Sequence, residues 1–156
     1  MIRLSRITDY GIVLMAHLAE QPPGAPCNAR EVAVETRLPL PVVSKVLKSL
    51  ARAGLLVSQR GAKGGYALAR PAARISVPEM IAALEGPIGL TECSQHPGAC
   101  RQEHTCHVRA PWQRISRAVQ SSLDRISLAD LVTPGSNIVP LASLGVDTSG
   151  IDTPAS

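Results

Sequence analysis

Apolar positions step along the chain in a way that changes period twice. Ile7, Gly11, Leu14, Met15 and Leu18 recur at intervals of three and four, which predicts a helix from Thr8 to Ala19. Gln21-Pro22-Pro23-Gly24-Ala25-Pro26 breaks that period. Asn28 is a good N-cap for a second helix from Ala29 to Arg37, carrying Val32 and Val34. After the turn Leu38-Pro39-Leu40-Pro41, Pro41 suits the first position of a third helix, where a missing N–H costs nothing. Val43, Val46, Leu47 and Leu50 form one stripe on it, and Gly54 is the expected stop just beyond Ala53. The period then shortens. Leu55–Gln59 and Tyr66–Arg70 flank Arg60-Gly61-Ala62-Lys63-Gly64-Gly65, the pattern of a β-hairpin with a basic, glycine-rich tip.

Helical spacing returns further on. Ser76 and Glu79 have capping-box spacing for a helix from Val77 to Leu84, ended by Gly86-Pro87. Pro111 is expected to open a longer helix to Ile126, with the stripe Trp112, Ile115, Val119, Leu123 and Ile126. Ser127 caps a final turn from Leu128 to Val132. Proline, glycine, serine and threonine dominate residues 133–156, which lack Lys and Arg, so a flexible tail is expected there.

The fold class expected is therefore mostly α with a small β-hairpin. A winged helix-turn-helix spans residues 1–74 and a linking helix residues 75–90. A Cys-rich loop spans 91–110, and a long C-terminal helix with its closing turn spans 111–132. The third helix has the two faces that a recognition helix needs: its apolar stripe docks, while Ser44, Lys45, Lys48 and Arg52 stand opposite. Arg60 and Lys63 put charge at the hairpin tip, where an arginine can enter a minor groove.

Charge agrees with this division. The 156-residue chain carries a net +4. Residues 1–74 hold 11 Lys/Arg against 4 Asp/Glu, a balance of +7; residues 75–156 hold 5 against 8, a balance of −3. A polyanion partner is expected for the first part only, namely double-stranded DNA. The aromatics are Tyr10, Tyr66 and Trp112, with no Phe, too few to stack the bases of a single strand. No apolar run approaches the roughly 18–20 residues of a membrane helix, and Met1-Ile2-Arg3-Leu4-Ser5-Arg6 lacks a secretory apolar stretch, so a cytoplasmic protein without a membrane partner is expected. No nucleophile–base constellation and no Cys-x-x-Cys speak for an enzyme.

Cys93–His107 concentrates six of the chain's eight Cys and His: Cys93, His96, Cys100, His104, Cys106 and His107. Structural zinc sites use closer pairs than Cys93-x6-Cys100-x5-Cys106, whereas thiolates spread round one loop suit an iron–sulfur cluster. Spacing alone leaves iron–sulfur, zinc and redox thiols open. Cys27, far off in a proline-rich loop, reads as incidental.

These residues together resemble the winged-helix iron–sulfur transcriptional regulators, the IscR/NsrR-like family. The matching stretches are Arg3-Leu4-Ser5 with Thr8-Asp9-Tyr10-Gly11, Ser44–Leu50 with Ala53-Gly54-Leu55, and Ser127–Leu131. Arg60-Gly61-x-x-Gly64-Gly65-Tyr66-x-Leu68 is the most specific, and the three cysteines match as well. The resemblance covers about residues 1–132. Glu85-Gly86-Pro87-Ile88 with Leu90-Thr91-Glu92-Cys93-Ser94 looks most like the subgroup regulating SUF cluster assembly.

The resemblance implies a homodimer paired through helix 111–126, a partly palindromic operator, and contacts from Pro41, Ser44, Lys45 and Arg60. It also implies an iron–sulfur cluster, [2Fe–2S] or [4Fe–4S], on Cys93, Cys100 and Cys106. Ser44 stands where the family's assembly regulator has glutamate, and Arg109, which cannot ligate, where it has a histidine. Asp9 matches the aspartate that the nitric oxide sensor supplies from the other subunit, so the fourth ligand implied is Asp9, with His107 in reserve. The function implied is a repressor of an iron–sulfur assembly operon; a zinc-bound or thiol-redox repressor of the same fold is the alternative.

Overall fold

The computed structural model describes residues 4–96, 98, 100–102 and 104–134; nearly all of the expected tail lies outside them. The elements run α1 (Arg6–Glu20), α2 (Ala29–Thr36), α3 (Leu40–Arg52), β1 (Leu56–Gln59), β2 (Gly65–Leu68), α4 (Val77–Glu85), α5 (Glu92–Gln95), α6 (Arg109–Asp124) and α7 (Leu128–Val132), with a 3₁₀ turn at Ala72–Arg74. This is a winged helix-turn-helix: three helices, then an antiparallel hairpin in which Leu56 faces Leu68 and Gln59 faces Gly65.

Local chemistry sets the boundaries. Ser5 caps α1, its hydroxyl accepting from the Thr8 N–H. Asn28 caps α2 in a full capping box with Glu31. Pro39 precedes α3, and Pro41 sits within the first turn, where its N–H is not missed. Gly54, at φ +77°, turns the chain out of α3 into the hairpin. Ser76–Glu79 and Ser127–Asp130 are capping boxes for α4 and α7.

One core joins the two parts of the chain. Leu14, Met15 and Leu18 of α1 meet Val43, Val46, Leu47 and Leu50 of α3, and Ile75, Val77, Met80 and Ile81 belong to the same cluster. The segment 75–90, expected as a link, thus contributes α4 to the packing of the winged-helix unit. Burying each large aliphatic side chain is worth about 1.5–3 kcal/mol. The all-apolar α3 stripe is therefore the main anchor of that helix.

Two expectations need correction. The long helix starts at Arg109 and ends at Asp124, rather than running from Pro111 to Ile126. Pro111 is its third residue, still among the positions whose N–H has no intrahelical partner. Ile126 leaves the stripe and is buried in the core, while its carbonyl accepts from the Val77 N–H at 2.9 Å. Leu128 N–H donates to the Ile75 carbonyl at 2.8 Å, which fastens α7 beside α4. Second, the Cys segment, expected as a loop, holds a single helical turn, α5, with Cys93 on it.

On α6 the only buried residue is Ser116, while Trp112 and Ile115 are 41% and 46% exposed. No described helix is long and apolar enough to cross a membrane.

Candidate nucleic-acid interface and cysteine segment

The buried stripe of α3 fixes which side chains face outward. Pro41, Lys45 and Lys48 are exposed, and Ser44 is half-buried beside them. Arg60 and Lys63 are exposed at the wing tip. The ion pairs among the described residues, His17–Glu35 and Arg70–Glu79, leave all four of these cations unpaired by the chain's own acids. They are free to meet phosphates.

The glycines of the wing have distinct duties. Gly61 adopts φ +115°, a backbone conformation open in practice only to glycine. At Gly65 a methyl group would run into the backbone of Cys27 and Asn28. That closeness exists because Cys27 pairs with β2: Cys27 N–H donates to the Tyr66 carbonyl at 2.9 Å, and Tyr66 N–H to the Cys27 carbonyl at 2.8 Å. Cys27, which reads from sequence as incidental, is thus the splint that holds the wing to the start of α2. Its half-buried thiol is pushed up from its ordinary pKa, first by burial and then by Glu35 and Glu31, which disfavours the thiolate.

The cysteine segment is held at both ends. Before it, Leu90 N–H donates to the buried Ser116 hydroxyl of α6 at 3.3 Å; after it, the chain enters α6 itself. Cys93 Sγ lies 3.2 Å from the Thr91 hydroxyl, which is also 2.7 Å from the Ser94 hydroxyl. Cys93 lines a cavity of about 210 Å³ with Ile88, Ser94, Gln113, Ser116 and Arg117. Cys100 and Cys106 are half-buried in the turns that follow, and His96, His104 and His107 are exposed.

All three thiols are free of disulfides. Their donor chemistry, soft thiolates on one segment, fits an iron–sulfur group. Within one chain they do not converge: among the described residues no three His, Cys, Asp or Glu side chains are grouped to hold a metal ion. Asp9 is exposed on the first turn of α1 and, among the described residues, forms no such group with them.

One further polar site has no short-range sequence signal. Glu85, the last residue of α4, accepts from the Ser5 N–H at 2.6 Å and from the Thr8 hydroxyl at 2.5 Å, across some eighty residues. Donation from Ser5, then from Thr8, holds its carboxyl below the ordinary glutamate value.

Solved structures are similar to this fold. A solved structure of CymR (YrzC), the global cysteine regulator of B. subtilis, is 31% identical; the match covers 85% of this chain and 97% of that one, at a TM-score of 0.66. CymR of Staphylococcus aureus is 34% identical over 82% of this chain and 96% of that one, at 0.59. IscR of T. potens is 28% identical over 84% of this chain and 86% of that one, at 0.63. The Rrf2 family profile, described as an iron-dependent transcriptional regulator, matches residues 4–134. With its recognition helix, splinted wing and cysteine segment, the chain belongs to the Rrf2 family of transcriptional regulators.

Proposed function

We propose that this regulator works as a homodimer that binds a partly palindromic operator and adjusts its grip to the state of Cys93, Cys100 and Cys106. The observation that carries the proposal is the tethering of a segment with three cysteines between α4, which packs into the winged-helix core, and α6. Pro41, Ser44, Lys45 and Lys48 of α3 would face the major groove, and Arg60 and Lys63 the phosphates and minor groove beside it. The exposed Trp112 and Ile115 of α6 would pair with the partner's copy, setting the distance between the two recognition helices.

The three thiols would hold an iron–sulfur cluster, with Asp9 of the other subunit, exposed on α1, as the fourth ligand and His107 as the local substitute. When bound, the cluster supplies redox- and nitric-oxide-sensitive chemistry. The chain's own part is mechanical. Asp9 sits on α1, and α1 packs on α3, so a ligand bond across the dimer would tie one subunit's cysteine segment to the other's reading head. The regulated genes are proposed to be an iron–sulfur assembly operon, repressed by the dimer, as in the SUF-regulating subgroup that Glu85–Ser94 resembles.

A second reading has its own support. Free, ungrouped thiols and likeness to the cysteine regulator CymR suit a thiol-redox repressor, or one holding zinc, on the same fold. Gel shifts on the anaerobically purified and the metal-stripped dimer, with iron, sulfide and zinc counted in each, separate the two. Under the cluster reading, operator affinity differs between the two forms and Asp9→Ala blunts that difference while some cluster remains. Full switching by Asp9→Ala would remove Asp9 as the coupling ligand, and equal affinities would favour the thiol reading.

A further inference from the structure

The contact between Glu85 and the start of α1 has a consequence that ligand geometry alone does not provide. Glu85 ends α4, and Gly86, at φ +91°, then turns the chain through Pro87 towards Thr91 and Cys93. Its Oε1 accepts both the Ser5 N–H and the Thr8 hydroxyl. Thr8 is fully buried, so its hydroxyl cannot turn to water for a replacement partner. Ser5 Oγ, in turn, accepts the Thr8 N–H at 3.3 Å. The first turn of α1 is thus capped twice: locally by Ser5, and by a carboxylate brought from the far end of another helix. A negative charge there is also favoured by the helix dipole.

One turn further along, Gly11 lies directly against Leu84, with no side chain of its own in between. Residues 84 and 85 therefore fix α1 on α4 both by packing and by hydrogen bonding. From Gly11 onward, α1 runs through Leu14, Met15 and Leu18 into the core it shares with α3. Hydrogen bonds weaken steeply once stretched beyond their usual range. A shift of about 1 Å at Gly86-Pro87 would take Glu85 out of reach of one or both donors.

We infer that Glu85 is the positioning residue through which the cysteine segment of a subunit sets the placement of that subunit's own α1 and, through it, the recognition helix. The inference rests on the proposed role of the segment as the sensor. It adds a route within one chain beside the cross-subunit ligand Asp9, and it assigns a switching duty to Thr8 and Ser5.

The test uses the full-length dimer and a fluorescent operator duplex, read by anisotropy, for wild type, Glu85→Ala and Thr8→Val. Thr8→Val keeps the buried shape and removes only the hydroxyl, which covers the case in which Glu85→Ala fails to fold. Each protein is measured anaerobically as purified and after metal removal, with its iron content and visible spectrum recorded. Wild type should show a ratio between the two affinities within the 5–150-fold typical of coupled sites. In both variants the ratio should fall to within about twofold of one, with iron content unchanged. A wild-type ratio in either variant overturns the inference and leaves the sensor intact. Loss of iron in the variants also overturns it, because Glu85 would then serve ligand retention. A wild-type ratio of one overturns the sensor and the inference together.

Discussion

Gly65→Ala tests how the wing is held. A Cβ at this position collides with the Cys27 carbonyl carbon and oxygen and with the Asn28 nitrogen, all of them backbone, so no side chain can rotate away to relieve it. The strands must part instead, and the two hydrogen bonds between Cys27 and Tyr66, at 2.9 and 2.8 Å, are the first to go. Each contributes about 0.5–1.5 kcal/mol net, so the variant should lose about 1–3 kcal/mol of stability. Urea unfolding should register a midpoint lower by on the order of 1 M. The displaced hairpin carries Arg60 and Lys63 with it. Losing a single contact worth about 1.4 kcal/mol would cut operator affinity roughly tenfold. Arg60→Ala is the control, since it removes charge without touching the Cys27–Tyr66 pairing: it should weaken binding at unchanged stability. If Gly65→Ala unfolds at the wild-type urea concentration, the close approach of Gly65 to Cys27 does not exist in solution and the splint is wrong.

Other consequences are measurable. Operator affinity should fall by about 10³–10⁵ between 50 and 200 mM salt if the dimer neutralises roughly 6–10 phosphates, and a flat response would count against the exposed basic face as a groove reader. Arg60→Ala should cost most on operators with an A·T-rich minor groove, and equal losses on all sequences would reduce Arg60 to a phosphate contact. Ile115→Asp places a charge in the half-exposed stripe of α6 and should shift sedimentation from dimer to monomer; an unchanged dimer would move the interface off that helix. Glu79, held down by the Ser76 backbone and Arg70, and Glu85, held down by Ser5 and Thr8, both have lowered folded values. Their stabilisation is complete above the ordinary glutamate range near pH 4.3 and is lost as pH falls through the lower folded values. Unfolding midpoints should drop through that acid window, and less so in Glu79→Gln.

Short-range rules made most of the fold legible. The Asn28, Ser76 and Ser127 caps and the α3 stripe act within one or two turns, so spacing reveals them. α6 starts two residues before Pro111 because a proline suits any of the first helical positions, not the first alone. Ile126 kept the helical step but serves the core, since Val77 and Leu128 draw its neighbourhood onto α4. Cys27 and Glu85 could not be read from spacing: their partners Tyr66, Ser5 and Thr8 are distant in sequence, and only the folded chain brings them together. The cysteines stand out by composition, yet the proposed fourth ligand, Asp9, lies far from them in sequence.

The central claim concerns those cysteines, and counting iron and acid-labile sulfide in protein prepared without oxygen tests it most directly. Wild type should be brown and contain both in comparable amounts, and Cys93→Ser, Cys100→Ser or Cys106→Ser should each lose most of the colour. A colourless wild type, lacking sulfide yet still answering its signal at the operator, would contradict the account.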